Sequence, residues 1–421
     1  MWGKDDLHSS GEMAAMGRLA NGAGLLVGVL AAALMVGVPQ SGLADGVQPD
    51  GAEAPARPTA QPDALQDRVD QLIRQLGHDS FAMRQRASKQ LVEIGIAGQP
   101  QLSAALADDD AEVRNRSAHV LSQVVEADFR ARLEAFANDP LGKKDHSLPS
   151  WNRYRETFGQ DKAPRDLFVD MQRAEPALLD SLEASPKLAG ELLVMRMQSI
   201  LQTIQWPQLN GGQPAAIPFG TVCALLFVSS TEGVTITDQD AIQLFNLIHQ
   251  ASFQSNLRTS ANGPMLKKLL GMWILHNSGP SIAYMNLQLA FNCDLKEGLD
   301  LAVKMIGNDG GGQPFMRQYV ILAIARFGNH EHIPLVEPLL KDATPCMPQQ
   351  NPDPKQSQIR DVALAVLIKL SGQELKDYGL EHVQTNPQTV FQPGTVTFGD
   401  SAKREAALAK WKVWAQQQPK E

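Results

Sequence analysis

Chemistry in a chain rests on a few residue types at workable spacings, and this chain offers several candidates. His330-Glu331-His332 is the most metal-like string, but histidines two apart suit a strand, and here they fall in a turn between two expected helices. That turn reads as a polar loop with Pro334 opening the next helix. Gly310-Gly311-Gly312 has the look of a phosphate loop without the Lys and Ser or Thr that must follow in one. Asp108-Asp109-Asp110 sit where a helix begins, and capping together with the helix dipole accounts for them. Cys223, Cys293 and Cys346 have no metal-ligand spacing and read as buried thiols; in an exported protein the first two are the least implausible disulfide pair. The sequence contains no nucleophile elbow and no paired-cysteine motif. No catalytic residue, cofactor or metal is expected from these strings.

Four arginines remain: Arg84, Arg114, Arg317 and Arg360. Each follows an apolar residue and precedes small and aliphatic positions at helical spacing: Met83-Arg84 with Ala87 and Leu91, Val113-Arg114 with Ser117 and Leu121, Met316-Arg317 with Val320 and Ile324, Ile359-Arg360 with Ala363 and Leu367. Two readings stand. The guanidinium groups form a ladder that grips a carboxylate-bearing partner, or each ties one helical unit to an acid or a carbonyl of its neighbour.

The elements that would position them are helices. Aromatics are 6% of the 421 residues while Ala, Leu and Gln recur, which favours helix over sheet. Asp63 with Gln66 can cap a first helix whose Leu65, Val69, Leu72, Ile73 and Leu76 share a face, and Gly77 ends it. Ser80 caps a second, closed by a left-handed Gly95. A third carries Leu102, Ala105 and Leu106, and a fourth starts at Asp110. Arg84 and Arg114 stand 30 residues apart, and Ser80 and Asp110, Arg86 and Arg116, Leu91 and Leu121 align by the same shift. A period of that size denotes stacked supersecondary units.

Asp110 to Arg114, followed by small and leucine positions, resembles the second helix of a HEAT repeat. The resemblance covers Asp63 to Phe129 well, Phe315 to Gly372 less fully and the middle weakly. It implies an all-α fold: a right-handed α-solenoid of antiparallel helix pairs with irregular loops, whose second helices line the inner surface.

The remaining organisation follows from composition. Residues 1–44 read as a signal peptide, with an apolar run from Leu25 to Val38 behind Arg18 and small residues at Gly42 and Ala44. Asp5, Asp6 and Glu12 suit such a leader poorly, so a start at Met13 or Met16 is expected; residues 19–38 as an uncleaved anchor are the alternative. Residues 45–62 form a Pro/Ala-rich linker, 63–135 the first repeats, 136–165 a connector and 166–308 divergent helical repeats. Helices are expected at 166–174, 175–182, 187–204, 221–230, 238–253, 264–276, 281–291 and 295–306, with a loop at Asn210-Gly211-Gly212 and Pro214. Further repeats at 313–375 follow, then a loop at 376–400, where residues 389–397 pair as a short strand or lie extended. A final helix over 401–418 puts Leu408, Trp411 and Ala415 on one face with Trp414 beside them, to cap the array or dock a partner.

A net charge of −8 argues against nucleic acid. The expected function is an exported scaffold, periplasmic or in the cell envelope, that binds a protein partner through its curved surface. An enzyme or lyase-like accessory subunit using the concave groove, with a closed pocket between Trp151 and Trp273 as its mark, and a structural envelope protein are the competing readings.

Overall fold

The computed structural model describes residues 62–206, 217–259, 261–309, 312–347 and 356–418. The signal peptide, all but the last residue of the 45–62 linker, the Asn210-Gly211-Gly212 loop with Pro214, and Gly310 and Gly311 lie outside the described residues, as does the side chain of Asp63. The fold is all-α among the described residues, apart from one hairpin of two-residue strands and a single bridge between Pro345 and Gln358. None of the described helices is long and apolar enough to cross a membrane.

The chain divides into two compact units, with the boundary between Asp128 and Phe129. In the first, α1 (Pro62–Leu76), α2 (Phe81–Ile94), α3 (Gln99–Ala104) and the first part of α4 (Ala111–Ala137) enclose a core. Val69, Leu72 and Leu76 of α1 meet Ala87 and Leu91 of α2, Leu102 of α3, and Val113, Val120, Leu121 and Val124 of α4. These positions recur every three or four residues, as a helix with one buried face requires. Leu65, expected on that face, is exposed. Ser80 stands at the start of α2, but its side chain makes no capping bond; its own N–H bonds Nδ1 of His78 at 2.9 Å instead. Gly95 has φ +74° with ψ −149°, so it leaves the helix at positive φ without the left-handed helical conformation expected of it.

The second unit holds α5 (Trp151–Phe158), α6 (Lys162–Ala174), α7 (Pro176–Ala184), α8 (Pro186–Gln205), α9 (Phe219–Ser229), α10 (Asp238–Ile248), α11 (Ala251–Thr259), α12 (Gly263–His276) and α13 (Pro280–Cys293). It continues with α14 (Gly298–Asp309), α15 (Pro314–Phe327), the single turn α16 (Ile333–Val336), α17 (Ile359–Leu370), the hairpin β1 (Thr385–Asn386) and β2 (Val390–Phe391), and α18 (Ser401–Gln416). Proline opens several of these helices, where a missing N–H costs nothing. In the hairpin Thr385 faces Phe391 and Asn386 faces Val390.

Two helices are wrapped on all sides. α9 is buried from Gly220 to Ser229 and touches α6, α7, α8, α10, α11 and α12. α17 is buried from Asp361 to Ile368 and touches α15, α16 and α18. Helices apolar all round belong in such places.

Three further expectations need correction. The helix over 238–253 is two helices, parted at His249 and Gln250. There, N–H groups close back on carbonyls three residues earlier, and the Gln254 amide donates to the Ile248 carbonyl at 2.9 Å. The helix around Leu335 is one α-turn followed by a 3-10 segment, Glu337–Lys341, with Pro334 and Pro338 denying it regular hydrogen bonds. On α18 the buried face centres on Arg404, Ala407 and Trp411, with Leu408, Trp414 and Ala415 only half-buried.

Candidate functional site

The arginine phrase repeats in geometry as well as in sequence. The Nη1 group of Arg84 donates to the carbonyls of His78 at 2.7 Å and Asp79 at 2.9 Å. That of Arg114 donates to Asp108 at 2.6 Å and Asp109 at 2.9 Å. In both, the guanidinium reaches back six and five residues and clasps the turn before its own helix. Such carbonyls have no helical partner, and a cation satisfies two at once.

The C-terminal pair uses other partners. Arg317 donates to the Gly312 carbonyl at 2.9 Å, five residues back, and pairs with the Asp342 carboxylate. The Arg360 guanidinium bonds Gln358 at 2.6 Å and Glu405 of α18 at 3.0 Å, and its backbone N–H donates to the Asp342 carbonyl at 2.9 Å. Asp342 is thus shared by two of the four arginine positions. Burial acts to raise its pKa, but hydrogen bonds from Thr344 and the Arg317 guanidinium outweigh it, so the carboxyl titrates below its ordinary value.

What surrounds Arg84 includes residues the sequence did not single out. Its Nε lies 2.9 Å from Oε1 of Glu112, a close ion pair whose angle is not that of a directed hydrogen bond. Arg116 reaches the same carboxylate at 2.7 Å. Two guanidinium groups therefore share one acid. Both also stand over the ring of Phe81, each 5.7 Å from its centroid, and Phe81 is 63% exposed. An aromatic residue at the first position of α2, off the apolar face and three residues before the phrase arginine, was the available signal. Helical periodicity discards such a residue because it does not fit the buried stripe.

Trp411 and Trp414 lie together on α18, ring centroids 4.9 Å apart. Trp411 is buried and donates to Glu337 at 3.3 Å, so its ring serves the fold. Two turns before Trp411, Nε of the buried Arg404 meets the buried Asp361 of α17 at 2.8 Å. Burial raises the Asp361 pKa, against the pull of Arg404.

The other strings give no constellation. His330–His332 is a 3-10 turn in which the His332 ring bonds Asn329 at 2.8 Å. Cys223, Cys293 and Cys346 are free thiols, so Cys223 and Cys293 do not pair; burial pushes Cys346 up to about 11, which keeps it from acting as a thiolate. Trp151 packs among Phe136, Tyr154 and Phe168, and Trp273 is fully buried with its nearest ring, Phe245, 6.1 Å away. No family model, curated protein or solved structure matches the chain.

Proposed function

We propose that the protein is an exported, HEAT-like helical scaffold, built of stacked helix pairs, that binds a protein partner at the Phe81 surface. Support for the stacked-unit reading comes from the arginine clasp repeated at a 30-residue offset. Support for export is the apolar run from Leu25 to Val38.

The observation that carries the binding reading is Phe81, 63% exposed with two guanidinium groups over its ring. Exposed aromatic and arginine side chains side by side are the composition of interface centres. α2 bears Arg84, Arg86 and Lys89 against Glu93 alone, so the fitting partner offers an acidic segment with an apolar anchor for the ring.

The test compares the full chain with Phe81→Ser and Arg114→Met in affinity capture from the native exported fraction. Phe81→Ser removes a side chain that supports no core, so partner capture is lost with the melting temperature unchanged. Arg114→Met opens two carbonyl bonds and lowers stability by about 1 kcal/mol, while capture persists. Undiminished capture by Phe81→Ser would defeat the reading.

A further inference from the structure

Three helix ends in the second unit converge on an open pocket. The end of α15 contributes Arg326 and Phe327, the last turn of α17 contributes Lys369, and the α13–α14 turn contributes Asp294 and Lys296. The β-hairpin closes the remaining side with Asn386, Pro387 and Val390. The space measures about 510 Å³, within the range of cavities that hold small organic molecules.

Its charges do not balance. Arg326 spans the pocket wall, donating to the Asp294 carboxylate at 2.9 Å and to the Pro387 carbonyl at 2.6 Å. The single acid is thereby used. Lys296 and Lys369 have no partner among the described residues, so two ammonium groups face one cavity on a chain of net charge −8. Phe327, Pro387 and Val390 supply apolar walls between them.

Helix ends offer a simpler account of part of this. Arg326 and Lys369 each lie in the last turn of a helix, where a cation offsets the carbonyl end of the dipole. That account does not explain the backbone. Val390 has φ +71°, and across it the Phe391 N–H bonds the Thr389 carbonyl at 2.8 Å, the pattern of a classic γ-turn, which is strained for a β-branched residue. Asp294, at φ +56°, is by contrast the left-handed C-cap of α13, a conformation that helix ends use and aspartate tolerates. The strain is held in place by neighbours: Asn386 accepts the N–H groups of Gln388 at 2.8 Å and Thr389 at 3.0 Å, and Arg326 pins Pro387. Strained residues cluster at ligand clamps and active sites, and Val390 stands on the wall of this pocket.

We propose that this pocket binds a small organic anion, a carboxylate or phosphate on an apolar body, with Lys296 and Lys369 as its counter-charges and Phe327 and Val390 against the body. The site is independent of the Phe81 surface.

Isothermal titration of the full chain with benzoate, phenyl phosphate, inorganic phosphate and benzyl alcohol tests it. One aromatic anion binds saturably at one site per chain, and the Lys296→Gln/Lys369→Gln pair weakens it on the order of tenfold or more. The Lys296→Arg/Lys369→Arg pair retains binding, and raising salt from about 0.05 to about 0.5 M weakens it. Both lysines are exposed, so each variant stays folded, the Gln pair losing at most about 0.3–1 kcal/mol of helix-end electrostatics at Lys369. Absence of saturable binding, equal binding by the Gln pair, or equal binding of benzyl alcohol overturns the proposal. Inorganic phosphate binding as tightly as phenyl phosphate overturns the organic part of it.

Discussion

The sharpest energetic commitment in this protein is one buried charge facing another. Asp361 and Arg404 are both withdrawn from water, and Arg404 also donates to the Gln356 carbonyl at 3.2 Å. Losing one member of such a pair strands the other, at about 3–5 kcal/mol. Arg404→Met is therefore expected to destabilise by that amount at pH 7, read by urea unfolding. The pH dependence has a definite sign. Burial already raises the Asp361 pKa, and without the guanidinium it rises further. The native variant then holds a proton that the unfolded chain releases above its ordinary value near 3.8, so stability falls as pH rises above about 4. The loss is smaller at pH 4 than at pH 7, and Asp361→Asn/Arg404→Met, which keeps a side chain at the start of α17 without its charge, recovers most of it. An equal loss at both pH values would refute the assignment. Nothing at Arg404 in the sequence announced this: an arginine among Lys403, Glu405 and Lys410 reads as solvated surface, and its acid lies 43 residues away.

At the scale of helices, the α6–α9 crossing depends on one missing side chain. A Cβ placed on Gly220 would come 2.1 Å from the Asp170 carbonyl oxygen. That oxygen is backbone, so no rotamer can yield and the helices must part. Gly220→Ala is expected to cost about 1–3 kcal/mol or more. Gly307 on α14 has nothing within 4 Å of the same position, so Gly307→Ala gains about 0.5–1 kcal/mol from helix propensity. Thermal melts of both variants, moving in opposite directions, check the pair; a neutral Gly220→Ala would mean that the crossing has slack. Much of the helical layout was legible, because one-sided helices such as α1 and α2 announce their buried faces by period. α9 was legible as a helix over 221–230, and its apolar run from Val222 to Val228 fits the burial the structure shows. The break between α10 and α11 was not, since Phe245, Ile248 and Phe253 continue the apolar pattern across it while the hydrogen bonds change beneath. The β-hairpin was foreseen only as a pairing option within 389–397. Its positive-φ Val390 was invisible, because valine is the last residue a sequence reading would place there.

At the scale of the whole chain, the two units have separate buried clusters, one spanning Val69 to Val124 and the other Leu133 to Trp411. Sequence composition ended the first repeats only at the 136–165 connector, because helix-forming residues run uninterrupted through α4. The division at Asp128 lies inside that helix and is defined by packing alone. Separate cores predict separate local stabilities. Leu72 and Leu364 are both fully buried, one in each cluster, and truncating either to alanine removes about 2–5 kcal/mol of packing. Hydrogen exchange distinguishes where that loss is felt. With independent units, Leu72→Ala accelerates exchange in α1–α3 by more than about tenfold and leaves α9 and α17 at wild-type rates, while Leu364→Ala does the reverse. A single cooperative molecule would instead show both variants raising exchange in α9 and α17 alike, because every slow amide would open through the same global event. The smaller cluster has fewer buried side chains to lose, so α1–α3 is expected to be the first region exposed by urea. The Phe81 surface belongs to that unit, so the partner binding proposed there is expected to raise its unfolding midpoint without moving that of α17.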